Sequence, residues 1–176
     1  MGSSFSICKG RKRCRILILG LDDMHKNNLY TELTKGKNDT HPPSSYNEKQ
    51  IHLHGLTAYI CDICGAKKMR NLWACQVMHS DAVIFLADSS SKEPFNEVVE
   101  EFSKLGNEVK RRDVGFNILV LFNPGRSAEM NEKYAALFNK YSELKNLRVE
   151  KCQFDTWDNL NDGMEWLCDR IRSELQ

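Results

Sequence analysis

Four short apolar runs alternate with stretches of helical period along the 176 residues of this chain. The runs are RILILG at 15–20, DAVIFLAD at 81–88, FNILVLFN at 116–123 and the weaker NLRVEKCQF at 146–154. Near-continuous apolar character marks strands covered on both faces, and strands that alternate with helices build a parallel sheet. Between the first two runs lies KQIHLHGLTAYICD, two alternating segments joined at His54-Gly55. That pattern predicts a β-hairpin, which adds one antiparallel edge strand. His52 and His54 are read as solvent-facing residues of this strand.

The helices follow from the 3.6-residue period. Phe95, Val98, Val99, Phe102 and Leu105 form one stripe, with Pro94 in the first turn, and Leu160, Met164, Leu167, Ile171 and Leu175 form another. Further helices are expected after Lys26 (Leu29, Tyr30, Leu33), across Met69 to Val77, and over roughly 127–142. The order is β-α-β-β-α-β-α-β-α-β-α. Residues 34–47, TKGKNDTHPPSSYN, carry two prolines and no apolar period, which predicts an exposed loop. With no internal repeat, the expected organisation is a basic N-terminal arm over 1–14 and a single α/β domain over 15–176. A chain this long buries roughly two thirds of its unfolded surface in one core.

Composition changes this picture little, and charge changes it more. A content of 41 % hydrophobic and 28 % charged residues is that of a water-soluble protein, and no run approaches the ~18 apolar residues of a membrane span. Five of the 25 basic residues (Lys9, Arg11, Lys12, Arg13, Arg15) stand in the first 15 positions without an acid, leaving 20 against 24 acids. The start, Met1-Gly2-Ser3-Ser4-Phe5-Ser6, fits the pattern for myristoylation of Gly2. One acyl chain binds membranes marginally, and a second signal makes the anchor stable. Cys8, as a palmitoylation site, and the basic residues both offer one, each Lys or Arg contributing about 1 kcal/mol at an anionic surface. The alternative is a basic start that binds nothing in particular. Seven cysteines, an odd number without a preceding apolar signal core, point to a reducing, cytoplasmic setting.

Candidate chemistry begins where the first strand ends, in RILILGLDDMHKNN at 15–28. A phosphate-binding loop reads G-x-x-x-x-G-K-[ST]: backbone N–H groups close on the phosphates, the lysine reaches the outer ones, and the hydroxyl ligates magnesium. Gly20 and Lys26 stand at that spacing, while His25 replaces the second glycine and Asn27 the hydroxyl.

Together with DICGAKKMRNLW at 62–73 and DGMEWLCDRIRSEL at 162–175, this stretch resembles the Arf and Arf-like small GTPases over nearly the whole chain. The resemblance implies a six-stranded, mostly parallel sheet with one antiparallel edge strand, about five flanking helices, and an N-terminal segment placed on a membrane. It implies GTP or GDP with magnesium as ligand, and here the parts can be checked one by one. Gly20, Asp22 and Lys26 remain. His25, Asn27 and Asn28 occupy phosphate-loop positions, and Asn27 is a poorer magnesium ligand than the family's threonine. The threonine of the first switch falls near Ser44. Asp62 and Gly65 keep the pair that orients magnesium-bound water and meets the γ-phosphate. The water-positioning glutamine is Ala66, whose loss removes most intrinsic hydrolysis. The base-reading Asn-Lys-x-Asp is Asn123-Pro124-Gly125-Arg126. An arginine there offers donors to guanine's donors. The last base-contacting loop, around Cys152, Gln153 and Phe154, does not match either.

These substitutions lead to an expected pseudo-GTPase: a cytoplasmic protein held peripherally on membranes, binding protein effectors or adaptors in trafficking or a related process, with nucleotide binding weak or lost and no nucleic-acid partner. Met69, Leu72 and Trp73 resemble the family's effector surface, although Trp73 also suits a core. The alternative is a divergent GTPase that still binds GTP or GDP, hydrolyses it slowly and switches in vesicle transport. A third reading concerns Cys61, Cys64, Cys75 and His79, spaced C-x2-C-x10-C-x3-H as in some structural zinc sites. Their expected elements, a strand end, a loop and a helix, argue against four ligands converging within about 2.3 Å of one ion, so no zinc is expected.

Overall fold

The computed structural model describes residues 13–34, 46–111 and 116–174. The elements are β1 (Arg13–Leu19), α1 (Asp23–Thr34), β2 (Tyr46–Leu53), β3 (Leu56–Ile63), α2 (Asn71–Met78), β4 (Ala82–Asp88), α3 (Phe95–Arg111), β5 (Asn117–Asn123), α4 (Ala128–Asn139), β6 (Leu147–Lys151) and α5 (Leu160–Glu174), with a 3₁₀ turn over Lys67–Met69. This is the order read from the periodicity. The strands lie side by side as β2-β3-β1-β4-β5-β6. Every pairing is parallel except β2 with β3, which is antiparallel from Tyr46↔Ile63 to Leu53↔Leu56.

The apolar runs sit in the middle of the sheet because both their faces are covered. Leu17 and Leu19 of β1 join Val83, Phe85, Val120 and Phe122 under α2, α3 and α4, where Phe102, Tyr134 and Phe138 pack. Ile16 and Ile18 point the other way, with Ile84, Leu119 and Leu121, onto α1 and α5 through Leu29, Leu167 and Ile171. At the edge, β2 alternates exposed and half-buried residues, as a strand covered on one side does. The hairpin turns at His54 and Gly55, both with positive φ (43° and 80°), the backbone that tight β-turns require. His54 therefore belongs to the turn, while His52 is exposed on β2, its Nδ1 3.3 Å from Thr57 Oγ1.

Boundaries differ at two places for local reasons. Helix α4 starts after Ser127, whose hydroxyl accepts from the Met130 N–H at 3.2 Å, and it ends at Asn139 rather than 142. Strand β6 stops at Lys151, and the chain turns through 154–159, where Trp157 and Asn159 both have positive φ. Of the loop read over 34–47, residues 35–45 lie outside the described residues, as do 1–12 of the arm; Arg13 and Cys14 are already in β1.

The topology singles out one position. Strand β1 lies between β3 and β4, so the connections leaving β1 and β4 run to opposite sides. In open α/β sheets the crevice beyond the carboxyl ends of the strands at such a point is where ligands bind. The loop Gly20–Asp22 occupies it here, beside the ends of β3 (Asp62, Ile63) and β4 (Asp88).

Candidate nucleotide-binding site

The phosphate loop passes from β1 straight into α1. Asp22 Oδ1 accepts from the N–H groups of Met24 (2.9 Å) and His25 (3.2 Å), so this carboxylate satisfies two of the donors that a helix start leaves open. The helix that follows turns Lys26 inward and leaves Asn27 and Asn28 exposed.

Lys26 is 1 % exposed, and a buried ammonium must be answered by anions or carbonyls. Its Nζ lies 2.6 Å from Asp23 Oδ1 and 3.4 Å from Asp62 Oδ1, and it donates to the carbonyl of Ile63. The two acids are not equivalent. Burial pushes the Asp62 pKa up, and Lys26 recovers only part of that rise. Burial also acts to raise Asp23, but the hydrogen bond from Lys26 and another from the Gly65 N–H outweigh it and hold Asp23 below its ordinary value. Asp23 is thus the principal counter-ion of the lysine.

Gly65 marks where the loop after β3 meets the phosphate loop. A Cβ at this position would overlap the Gly20 carbonyl oxygen and lie 2.9 Å from that of Leu21, so only glycine permits this approach. Its N–H donates to Asp23 Oδ1 at 2.7 Å. Its carbonyl accepts from Arg70 Nε at 2.7 Å, and Arg70 Nη1 in turn holds Glu97 of α3 at 2.6 Å. The carbonyl of Cys64 accepts from the Trp73 indole at 3.1 Å. Ala66 leads into the 3₁₀ turn, its carbonyl accepting from the Met69 N–H at 2.7 Å, and its methyl group has nothing with which to position a water.

Trp73 corrects the expected effector cluster. It is 5 % exposed and packs in the core under α2, because its ring is drawn in by the Cys64 carbonyl; Leu72 beside it is 45 % exposed and Met69 half-buried.

At the other end of the site, the Asn123–Arg126 loop is held down by Asn131, whose Nδ2 donates to the Gly125 carbonyl at 2.9 Å while Oδ1 accepts from the Gly125 N–H at 3.2 Å. Asn123 Oδ1 is buried with no partner among the described residues, and Arg126 is exposed. In the facing loop, Cys152 is buried, Gln153 is exposed and Phe154 is 4 % exposed. The Phe154 ring lies 5.1 Å from the His25 ring and stacks on Trp157 at 5.2 Å. His25 Nδ1 is 3.0 Å from Asp22 Oδ2 and 3.8 Å from Asp88 Oδ2. A cleft of about 640 Å³ opens beside the loop, its walls including Asp22, Asp23, Asp88 and Glu93 with Lys67 and Arg70.

The structure thus brings Gly20, Asp22, His25, Lys26, Asp62 and Gly65 together. Gly2, Cys8 and Ser44 lie outside the described residues. The four residues with zinc-like spacing are dispersed: Cys61 donates to Glu48 at 3.1 Å from within β3, Cys64 faces Asp23, Cys75 is exposed on α2, and His79 caps that helix end against the Cys75 carbonyl. Three residues of the site were missed from sequence. Asp23 carries a signal, standing one helical turn before Lys26. Arg70 reads only as part of KMRNLW, and Trp157 as part of a loop.

Comparison with known proteins places the chain in a family. A model of the ADP-ribosylation factor family matches residues 1–171. The chain is 31 % identical to ADP-ribosylation factor J and 30 % identical to ADP-ribosylation factor K of Dictyostelium discoideum, each over 97 % of this chain and 92 % of the relative. The solved Arl6 (BBS3) small GTPase of Trypanosoma brucei, with bound nucleotide analogue GppNp, superposes with a TM-score of 0.73 at 20 % identity, covering 93 % of this chain and 99 % of its own, a likeness of fold. With a phosphate loop at the switch point of a six-stranded sheet and relatives matched over nearly its full length, the chain belongs to the ADP-ribosylation factor family of small GTPases.

Proposed function

We propose that this family member works without nucleotide turnover, as a pseudo-GTPase that binds protein partners at a membrane surface in trafficking or a related process. The observation that carries the reading is the buried ring of Phe154 in contact with His25. It ties the phosphate loop to the 152–154 loop, which the family uses to contact the base, and in this reading the two rings hinder the seating of a base and its ribose. The groups around it point the same way. Lys26 and the Gly65 N–H are already paired to Asp23. Asn27 is a weak magnesium ligand, Ala66 cannot align a water, and Arg126 stands where guanine needs a carboxylate. Asp23 and Asp62 already neutralise the one buried ammonium, and Asp22 and Asp88 stand beside His25, so this ring of acids disfavours a triphosphate.

Membrane association rests on the arm over 1–14, with myristoyl at Gly2, palmitoyl at Cys8 and the basic residues as a second signal. Leu72, exposed on α2, is the apolar residue offered to effectors or adaptors. Among the described residues no helix is long and apolar enough to cross a membrane, which leaves the arm as the anchor of this proposal. A second reading keeps a slow GTP switch in vesicle transport, and the retained placement of Lys26, Asp62 and Gly65 favours it.

One experiment separates the two: titration of fluorescent GTP and GDP against the purified full chain, with and without magnesium. The pseudo-GTPase shows no saturation in the low micromolar range, whereas submicromolar binding that depends on magnesium overturns it.

A further inference from the structure

The loop after β3 is the second switch of the fold, and in nucleotide-driven GTPases it is ordered by contacts to the γ-phosphate and magnesium, then released on hydrolysis. Here three of its backbone groups are engaged by side chains. The Gly65 N–H goes to Asp23, the Gly65 carbonyl to Arg70, and the Cys64 carbonyl to Trp73. Arg70 is anchored in turn to Glu97 at the start of α3. These are peptide groups that a switching loop exchanges between phosphate, water and protein, and here side chains hold them.

Asp23 holds the central place in that closure. One oxygen, Oδ1, lies 2.6 Å from Lys26 Nζ and 2.7 Å from the Gly65 nitrogen, while Oδ2 accepts from Cys64 Sγ at 3.5 Å. An anionic oxygen that bridges the phosphate-loop lysine and the backbone N–H of the D-x-x-G glycine has the charge, the hydrogen-bonding capacity and the partners of a terminal phosphate oxygen. We propose that Asp23 is a built-in stand-in for the terminal phosphate, holding the second switch in a single ordered state with no nucleotide present. This rests on the reading above that the site acts without nucleotide.

The rest of the site agrees. Asp23 is ionised at neutral pH, since its pKa is held below the ordinary value once the Lys26 and Gly65 bonds outweigh burial. Its side chain is 44 % exposed, so the contact sits at the mouth of the site, where a phosphate would also enter. Gly65 packs on the Gly20 and Leu21 carbonyls closely enough to exclude a Cβ, so the closed state has little slack. The consequence is a switch surface presented at all times: a partner reading it meets the exposed Leu72 in a fixed position relative to α3, through Arg70 and Glu97.

The test is amide hydrogen exchange on the nucleotide-stripped full chain, following the Gly65 N–H, with the Trp73 indole N–H as a second probe by NMR. The unaltered protein protects both. Asp23→Ala removes an anionic acceptor and raises Gly65 exchange about tenfold or more, and Asp23→Asn, which keeps the shape without the charge, raises it less. Millimolar acetate, supplying a carboxylate to the vacated position, restores protection in Asp23→Ala and leaves an Asp23→Glu chain unchanged. An unmoved Gly65 exchange rate in both Asp23→Ala and Asp23→Asn, with thermal unfolding still cooperative, overturns the proposal. The two proposals fail separately: tight magnesium-GTP binding by the unaltered chain sinks the pseudo-GTPase, while an unmoved Gly65 sinks the role of Asp23.

Discussion

Lys26 and Asn123 stand at opposite ends of the candidate site, and the protein answers them by different chemistry. The lysine is buried between Asp23 and Asp62, and a buried ammonium has to be neutralised wherever it is kept. Keeping it compels an anion nearby, and Asp23 on the first turn of α1 supplies one within 2.6 Å. No such demand exists at the base end. Asn123 leaves a buried Oδ1 without a partner among the described residues, Arg126 faces solvent, and nearby the buried Phe154 ring contacts His25 and stacks on Trp157. Packing between aromatic rings rests on dispersion and burial, which require shape rather than charge. In the proposed reading the phosphate end keeps its geometry with Asp23 as a substitute ligand, whereas the base end keeps only packed side chains.

The sharpest way to break this contrast is to empty the charged end. Lys26→Met leaves Asp62 as a buried carboxylate without its cation, and loss of one partner of a buried pair costs about 3–5 kcal/mol. Denaturant unfolding measures it, and Lys26→Met combined with Asp62→Asn recovers part of the loss because the stranded charge is gone. A cost below about 1 kcal/mol for Lys26→Met means that the phosphate end is as permissive as the base end. At the apolar end, Phe154→Ala removes a 4 % exposed ring and costs about 3 kcal/mol through lost contacts with His25 and Trp157. Phe154→Leu, which refills most of the volume, costs about 1 kcal/mol in the same measurement.

The element order and the hairpin were legible in the chain because they rest on periodicity. The continuous runs of β1, β4 and β5 and the two clean helical stripes carry their own signal, and His54-Gly55 announces a turn that needs positive φ. The family motifs alone put Gly20, Lys26, Asp62 and Gly65 in one site, where the fold also gathers them. What the chain did not reveal depends on direction and reach. Helix α2 is only eight residues long and apolar almost all round, so no stripe distinguishes Trp73, which turns inward, from Leu72, which turns out. Asp23 reads as an ordinary acid at a helix start, and its partner Gly65 is 42 residues away. Phe154 reads as a loop mismatch, since contact between two loops has no period.

The smallest expected effect is the most discriminating. Arg126→Asp restores the carboxylate that the family's base-reading motif carries, at an exposed position with no described partner, so stability moves by less than about 0.5 kcal/mol. If the base end had lost guanine through that one substitution, restoring it would return measurable nucleotide affinity, because a carboxylate that accepts two N–H donors contributes strongly to discrimination. If the end has been refilled, the new carboxylate faces a space already occupied by Phe154, and GTP titration of Arg126→Asp remains flat. Affinity then returns only when Arg126→Asp is combined with Phe154→Ala, and the paired variant gains more than the two single changes together. A saturating GTP isotherm from Arg126→Asp alone would show that the ring moves aside for a base, and that charge, not volume, governs this end as it governs the other.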